Sequence, residues 1–424
     1  MSEGFQPIAL GTVANITMGQ SPGAETYNSE ENGLPFLQGC AEFGALHPQP
    51  EIYCDPPLRV AKKDSILISV RAPVGTMNLA DQDYCIGRGL GAVQGIAGKA
   101  NTSFLRYAIA QNVGFLHRRS QGSTFLAISS RELRLLPIPD IGFTTQGQIA
   151  EILSTLDKAI EKTEALIAKY QQIKAGLMHD LFTRGVTADG KLRPPRAQAP
   201  ELYQETPIGW IPKEWKVKPL GTLAEIVSGV TLGAKGEISD EIEVPYLRVA
   251  NVQDGYLDLT EVKTVRVSRS QFEKLQLRFG DVLMNEGGDF DKLGRGSVWQ
   301  EEIKPCIHQN HVFRVRPREG QLRSYFLAFW SQSEMGKKYF VLNSKQSTNL
   351  ASINSTQLNR FPVAVPSSVE QERIETRIVA LNGHVVSLEQ ELSKLHLQKH
   401  GLMHDLLTGS VRVLEDIQLA TVVL

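Results

Sequence analysis

Apolar residues recur with a helical period in two long stretches, one near the end of each half of the chain. In the second stretch the apolar positions alternate between spacings of four and three, and they are Ile374, Ile378, Leu381, Val385, Leu388, Leu392 and Leu395. The same spacing in the first stretch gives Ile149, Leu153, Leu156, Ile160, Thr163, Ile167 and Tyr170. This pattern is the a/d seam of a heptad repeat, and it predicts two long helices.

A single seam is equally compatible with the core helix of a globular domain. Two seams in the same register favour pairing of the helices with each other. No proline interrupts residues 146–182 or 370–407, and at 1.5 Å per residue each helix would be about 55 Å long. Residues 187–212 are rich in proline and polar side chains, and they are long enough for the chain to turn back, which predicts an antiparallel pair.

The stretch before each long helix has short apolar runs broken by Gly, Pro and Asn. Such runs predict short strands joined by turns, and examples are residues 65–70, 281–284 and 312–315. Shorter helices are predicted over residues 103–116 and 324–340. A proline-containing strand, residues 135–141 in the first half and 360–366 in the second, leads into each long helix.

The two halves repeat one another. Residues 176–181 and 401–406 both have the sequence GLMHDL, and at the same offset Gln146 matches Gln371. Further matches follow in the same order, and they are 10–12 with 220–222, 34–37 with 244–247, and Ser123-Thr124 with Ser347-Thr348. So many matches in one order predict two similar domains, each followed by a long helix.

Length and composition limit the class of protein. The 424 residues are enough for two or three domains, and the net charge of −1 counts against a protein that coats nucleic acid non-specifically. A local basic groove remains compatible with that charge. No apolar run reaches membrane-spanning length and the first twenty residues lack the features of a signal peptide, so the expected compartment is the cytoplasm.

A search for catalytic motifs predicts no active site. Residues 55–58, Asp-Pro-Pro-Leu, resemble an amino-methyltransferase motif, but Leu58 cannot stack on a flipped base as an aromatic residue would. Gly87, Gly89 and Gly91 lack the surrounding strand–helix–strand unit of a dinucleotide site, so a turn or a close backbone approach is favoured. The four cysteines form no Cys-x-x-Cys pair, and the two histidines in residues 308–311 are not a metal ligand set.

Basic and amide residues in loop-like positions suit DNA, because Arg matches guanine edges, Asn and Gln match adenine edges, and Lys, Ser and Thr match phosphates. For any single residue, solvated surface charge remains an open interpretation. The first domain offers Lys62, Lys63, Arg71, Arg88, Arg118, Arg119, Gln121, Ser123 and Thr124. The second offers Arg266, Arg269, Lys292, Arg295, Gln309, Asn310, His311, Lys337, Lys338, Lys345, Gln346, Ser347 and Thr348.

The whole chain resembles the specificity subunit of a type I restriction–modification system. Residues 206–215, TPIGWIPKEW, are similar to the opening of that family's second recognition domain. Residues 62–75 and 279–288 are similar to its strand–turn motif, and the two GLMHDL segments to its helix ends. The first half departs from the pattern because it lacks the tryptophan-rich opening and starts directly near Phe5, which affects only the first boundary.

The resemblance implies a mixed α/β (α+β) fold in which two repeated target-recognition domains are separated by two long antiparallel coiled-coil helices with pseudo-two-fold symmetry. The implied boundaries are 1–143 for the first domain, 144–184 for the central helix, 185–209 for a linker, 210–368 for the second domain, 369–410 for the distal helix and 411–424 for a tail. Each domain would read one half of a bipartite site in double-stranded DNA, and the helices would set the spacing.

The resemblance also implies partners. The helices would dock two modification subunits, which would bring S-adenosylmethionine, and a restriction and motor subunit would bring ATP and Mg. This chain itself would hold no cofactor, no metal and no catalytic residue. Two alternatives remain, a two-domain adaptor that binds protein rather than DNA and a fragment of a fused methyltransferase; the missing cofactor motif counts against the second.

Overall fold

The computed structural model describes residues 5–120, 127–232, 240–288, 293, 294, 296–346 and 351–413, without the side chain of Gln346. The chain divides into two units. Unit 1 comprises Met1–Ala165 and Glu389–Leu424, and unit 2 comprises Leu166–Leu388. Each unit therefore contains one repeat and part of both long helices.

The first repeat is built from short strands followed by helices. Its strands are β1 (Pro7–Ala9), β2 (Ala14–Met18), β3 (Tyr27–Asn28), β4 (Leu34–Leu37), β5 (Tyr53–Cys54), β6 (Val60–Ala61), β7 (Ile66–Ser69), β8 (Met77–Leu79), β9 (Tyr84–Ile86), β10 (Leu90–Gly95) and β11 (Pro137–Pro139). Its helices are α1 (Thr102–Gln111), α2 (Val113–Arg119), α3 (Ser130–Arg134) and the long α4 (Phe143–Arg184).

The second repeat follows the same plan with an added hairpin at its start. Its strands are β12 (Tyr203–Thr206), β13 (Gly209–Pro212), β14 (Lys216–Pro219), β15 (Ala224–Ser228), β16 (Glu241–Leu247), β17 (Lys263–Ser268), β18 (Val282–Asn285), β19 (Gly287–Gly288), β20 (Gly296–Val298), β21 (Ile307–His308), β22 (Val312–Pro317), β23 (Lys345–Gln346), β24 (Ala351–Ser352) and β25 (Pro362–Val365). Its helices are α5 (Leu220–Leu223), α6 (Arg269–Leu275), α7 (Ser324–Gln332), α8 (Glu334–Asn343), α9 (Ser355–Asn359) and the long α10 (Ser368–Thr408).

Strand order confirms that the halves are repeats. In unit 1 a sheet has the order β2-β10-β7-β8, and in unit 2 a sheet has the matching order β15-β22-β18-β20. The matched sequences 34–37 and 244–247 are both strands that pair in parallel with a later strand, through Leu37 to Ile86 and through Leu247 to His308. The strand before each long helix pairs with a strand near the start of its repeat, β11 with β1 and β25 with β14.

Both predicted shorter helices are wrong in extent. The helix predicted over 103–116 is divided at Asn112 into α1 and α2, and the one over 324–340 is divided at Ser333 into α7 and α8. At the second break the Ser333 hydroxyl accepts a hydrogen bond from the Gly336 N–H, so it caps a new helix in place of continuing the old one. The proline-containing strands are also shorter than predicted, spanning 137–139 and 362–365.

A repeated glutamine joins each domain to its long helix. The Gln146 side chain accepts from the Asn101 N–H at 2.9 Å and donates to the Ile141 carbonyl at 2.7 Å. Gln371 accepts from the Arg323 N–H at 2.9 Å and donates to the Pro366 carbonyl at 3.1 Å. Both side chains are buried. The matched glutamines therefore make the same connection, in which the start of the long helix holds the start of α1 or α7 through hydrogen bonds that burial makes costly to lose.

The long helices run antiparallel. In unit 1, Lys399 Nζ lies 2.6 Å from Asp157 Oδ1 and His396 Nε2 lies 4.0 Å from Glu164 Oε1. Residue numbers therefore increase along α4 where they decrease along α10. In unit 2 the ring of Tyr170 lies 6.1 Å from that of His384.

The predicted seam positions face inward along these helices. Buried members are Ile149, Leu153, Ile160, Ile167, Ile374 and Ile378, and half-buried members are Leu156, Thr163, Tyr170, Leu381, Val385, Leu388, Leu392 and Leu395. Each helix thus buries one apolar stripe, as a paired helix does.

The region predicted as a linker is packed against the start of α10 and is not a free tether. Arg193 donates to the Glu370 carboxylate at 2.6 Å, and both side chains are buried. Glu370 also accepts from the Val186 N–H at 2.8 Å, and Arg373 donates to the Thr187 carbonyl at 3.1 Å. The prediction missed this because the polar composition of the segment conceals one arginine whose partner lies far away in sequence.

Candidate DNA interface

A tight turn joins β9 to β10 in the first domain. This first turn, residues 87–89, is closed by a hydrogen bond from the Leu90 N–H to the Gly87 carbonyl at 3.0 Å. A Cβ at position 89 would lie 2.6 Å from the Gln38 carbonyl oxygen, so only glycine fits there. This agrees with the close backbone approach expected for the glycine cluster. The turn leaves Arg88 exposed at its tip.

The second domain has the equivalent turn between β21 and β22. This second turn, residues 309–311, is closed by the Val312 N–H donating to the Gln309 carbonyl at 2.9 Å. Counting from the strand before it, Asn310 occupies the position that Arg88 occupies in the first turn. Two residue sets with no sequence identity, Gly-Arg-Gly and Gln-Asn-His, are therefore displayed at one structural position.

Four further backbone hydrogen bonds in each domain, eight in all, hold the two turns in the same way. The residue that opens each turn donates to the end of the neighbouring parallel strand, from Gly87 to Leu37 at 2.8 Å and from Gln309 to Leu247 at 2.9 Å. The third turn residue accepts at 2.9 Å in both domains. The donors of those two bonds are Val70 and Glu286. The other four bonds, with donors first, are Ile128 to Val70, Ile353 to Glu286, Gln20 to Ile86 and Val230 to His308. The frame that presents the tip is thus common to both domains.

In the first domain the turn borders a concave surface. The concavity has a volume of about 570 Å³, and Arg71 and Arg88 line it together with Ser21, Gln38 and Glu42. Both arginines are exposed. Among the residues that the structure describes, neither guanidinium has a carboxylate within ion-pair distance, in contrast to the half-buried Arg316, which pairs with Asp281 at 2.7 Å. The structure therefore places two predicted residues on one surface, where neither guanidinium has an ion-pair partner among the described residues, although Glu42 lines the same concavity.

The second turn is polar and partly ordered by its own contacts. Gln309 and Asn310 are half-buried and His311 is exposed. His311 Nδ1 lies 2.6 Å from a carboxylate oxygen of Glu286, and the Ser228 hydroxyl donates to the Asn310 carbonyl at 2.9 Å. The side-chain amide of Asn310 also has a contact within the turn, because its Nδ2 lies 3.5 Å from His311 Nε2.

Gln38 is a site residue that the sequence prediction missed. It follows β4 directly, and its counterpart after β16 is Arg248, whose guanidinium donates to the Glu261 carbonyl at 3.1 Å. The sequence match of 34–37 with 244–247 could have indicated this site, because the next residue in each half is polar.

Other predicted residues lie elsewhere on their domains. Lys62 is exposed and pairs with Asp83 at 2.8 Å, and the guanidinium of Arg119 lies 3.7 Å from the centre of the Phe115 ring. Lys63 and Arg118 are exposed. The structure does not place these side chains on the concave surface lined by Arg71 and Arg88.

In the second domain the predicted lysines lie beside α4 or on a separate sheet. Lys337 approaches Asp254 at 3.7 Å, next to Gln171 of α4. Lys338 lines a cavity of about 570 Å³ beside Trp210. The remaining predicted cations are Lys345, exposed on β23, Arg266, which pairs with Glu241 at 3.6 Å, and Arg269, which pairs with Asp240 at 3.2 Å.

Some predicted positions lie outside the described residues. They are Gln121, Ser123, Thr124, Lys292, Arg295, Ser347 and Thr348, with the side chain of Gln346. In the ranges that are described, no group of three or more His, Cys, Asp and Glu could hold a metal ion. No described helix is long and apolar enough to cross a membrane.

His308 forms the base of the second turn. Its side chain is fully buried, and Nδ1 lies 2.6 Å from the Val312 carbonyl oxygen. Because a carbonyl only accepts, Nδ1 carries the proton and the neutral ring closes the turn from inside. Nε2 has no hydrogen-bond partner. Burial lowers the pKa of His308 to about 4, so the ring stays neutral throughout the physiological range.

We expect the free energy of unfolding of the second domain to fall by roughly 2 kcal/mol between pH 7 and pH 5 on account of His308. The unfolded imidazole binds a proton near pH 6.5, and the folded one does so only near pH 4. Its contribution is therefore complete above pH 6.5 and is lost as the pH falls toward 4. Urea unfolding followed by tryptophan fluorescence measures this, because all four tryptophans lie between residues 210 and 330. His308→Ile, which copies Ile86, should make the free energy of unfolding less dependent on pH. The same pH dependence in the variant and in the unmodified chain would contradict the prediction.

Comparisons with known proteins place the chain in a family. Residues 2–172 and 212–395 match the family described as the type I restriction modification DNA specificity domain. These two segments cover more than half of the chain, so the chain belongs to this family, and it carries the domain twice, as a specificity subunit does.

Similar proteins include two from Methanocaldococcus jannaschii. The putative type I restriction enzyme MjaX specificity subunit is 36% identical over 45% of this chain and 44% of that protein. The MjaVIII specificity subunit is 25% identical over 73% of this chain and 70% of that protein. The match thus spans less than half the length of the MjaX relative.

Solved structures show the same fold. The crystal structure of the type I restriction–modification S subunit from M. genitalium has a TM-score of 0.61 at 16% identity, and 96% of each chain is covered. A structure described under the assembly and conformational transition of the type I restriction–modification system has a TM-score of 0.55 at 15% identity, over 96% of this chain and 98% of that one. The predicted fold class is confirmed.

Proposed function

We propose that the chain is the DNA-binding specificity subunit of a type I restriction–modification complex and that each domain reads one half of a bipartite site in double-stranded DNA. The observation that carries this proposal is the common frame of the two turns. One backbone arrangement displays Arg88 in one domain and Asn310 in the other. A duplicated scaffold with different exposed polar tips is suited to reading two different half-sites, since arginine and asparagine match different base edges.

The long helices are proposed to set the spacing of the half-sites and to dock two modification subunits. Their exposed faces carry apolar side chains, among them Leu166, Ile173, Val379, Val386 and Leu397. Exposed apolar residues on a paired helix are suited to burial against another protein. A restriction and motor subunit would complete the complex.

The chain itself is proposed to be non-catalytic and cytoplasmic. S-adenosylmethionine would act in the modification subunits, and ATP and Mg in the restriction subunit. The non-catalytic role is supported by relatives that are themselves named specificity subunits.

Selection from a randomised double-stranded DNA library tests the proposal. The full-length chain, alone and with its modification subunits, should enrich two short half-sites at a fixed separation, and binding should weaken steeply with salt. If no DNA sequence is enriched, or if the chain binds protein and not DNA, the adaptor alternative is favoured. Binding of S-adenosylmethionine by the isolated chain would contradict the non-catalytic assignment.

A further inference from the structure

The tips of the two turns differ in their hydrogen-bond donors and acceptors, which decide which base edge a side chain can bind. Arg88 offers a guanidinium with several N–H donors, whereas Asn310 offers one donor group and one acceptor. In the major groove an arginine fits the two acceptors of guanine, and an asparagine fits the adjacent donor and acceptor of adenine. The backbone frame beneath them is the same in both domains, with Arg88 exposed and Asn310 half-buried at the equivalent position.

A phosphate contact is the competing role for Arg88. Phosphate contacts need positive charge, and in the second domain the equivalent position holds a neutral amide. The tip is also held on both sides, since the first and third turn residues each hydrogen-bond to a neighbouring strand or loop. A fixed tip that carries charge in one domain and none in the other is suited to base edges more than to phosphate neutralisation.

We propose that Arg88 reads a guanine in one half-site and that Asn310 reads an adenine at the equivalent position of the other. This inference rests on the proposed function, because it assigns bases to the two domains. The inference predicts an asymmetric DNA site, with a G·C pair opposite the first turn and an A·T pair opposite the second. Arg71 lines the same concavity as Arg88.

Three substitutions at the tips test the assignment in the full-length chain, with its modification subunits present. Arg88→Lys keeps the charge but loses the bidentate geometry. Arg88→Asn copies the second tip, and Asn310→Arg copies the first. Arg131→Asn is the matched control, since Arg131 is exposed on α3 and has no ion pair among the described residues. The glycines at 87 and 89 stay, because a side chain at 89 would meet the Gln38 carbonyl.

The expected result is a change at one base position for each substitution at a turn tip. Arg88→Lys should reduce the preference for guanine at one position of the first half-site by about 5- to 150-fold and leave the second half-site unchanged. Asn310→Arg should replace adenine by guanine at one position of the second. Arg131→Asn should change neither preference. Thermal unfolding of each variant, compared with the unmodified chain, shows that the fold is retained.

Other outcomes overturn the inference in distinguishable ways. If Arg88→Lys binds like the parent while Arg88→Asn weakens binding to all sequences alike, Arg88 contacts a phosphate. If the parent selects a bipartite site and neither Arg88→Lys nor Asn310→Arg alters it, the turns do not read bases, although the proposed function stands. If the parent shows no sequence preference at all, the proposed function and the inference both fail.

Discussion

Replacing Glu370 with alanine is expected to lower the free energy of unfolding of the second unit by about 3–5 kcal/mol. Glu370 accepts from Arg193 at 2.6 Å and from the Val186 N–H at 2.8 Å. The side chains of Arg193 and Glu370 are 8% and 6% exposed. Removing the carboxylate leaves a guanidinium buried, with Glu214 as its remaining ion-pair partner among the described residues. The effect is large because Arg193 loses the main partner of its buried charge. The net contribution of the intact ion pair to stability is smaller than this loss.

Urea unfolding followed by tryptophan fluorescence is again selective, because Trp215 and the other three tryptophans lie in unit 2. Glu372→Ala is the matched control, since it removes an exposed carboxylate from the same turn of α10. Combining Arg193→Met with Glu370→Leu should recover part of the loss by removing both charges. Equal midpoints for Glu370→Ala and Glu372→Ala would show that the pair does not hold the linker to the helix.

The sequence was sufficient for those parts of the fold that local pattern determines. The heptad spacing predicted both long helices, and the repeated motifs predicted two similar domains. Gln146 and Gln371 were matched by sequence alone, and the structure adds their role, because each makes the same buried hydrogen bonds at the same place. Local periodicity and repeated motifs carry this information without knowledge of tertiary contacts.

Features that depend on contacts between distant residues were not predictable in this way. The apolar pattern continues across Asn112 and Ser333, so the two helix breaks left no signal in it. The packing of the linker depends on Arg193 meeting Glu370, and residue type alone does not reveal a partner so distant in sequence.

The candidate interface was only partly predictable for the same reason. Arg88 and Asn310 were both chosen by residue type, but their equivalence is carried by backbone hydrogen bonds and not by sequence identity. Lys337 and Lys338 were chosen with them as phosphate contacts, and that role stays a prediction. The structure places these lysines beside α4, close to Asp254 and Trp210 respectively. Composition selects residues that can bind DNA, whereas only the fold decides which of them share a surface.

Inserting one heptad into both long helices is expected to widen the gap between the recognised half-sites by about three base pairs. Seven residues add about 10.5 Å of helix, and one base pair occupies roughly 3.4 Å. A whole heptad preserves the seam, since the apolar pattern resumes in register. Suitable positions lie between Ala165 and Leu166 in α4 and between Leu388 and Glu389 in α10, where the two units meet in sequence.

The half-sites themselves should not change, because the domains are untouched. Three base pairs also rotate one half-site by roughly 100° about the DNA axis, so the affinity should fall even at the best gap. Selection from libraries with randomised gaps measures both effects. An insertion of four residues into α4 alone is the control, since it moves the seam of one helix out of register with the other and should weaken binding at every gap. A heptad variant that folds and selects the same half-sites at the original gap would show that helix length does not set the spacing.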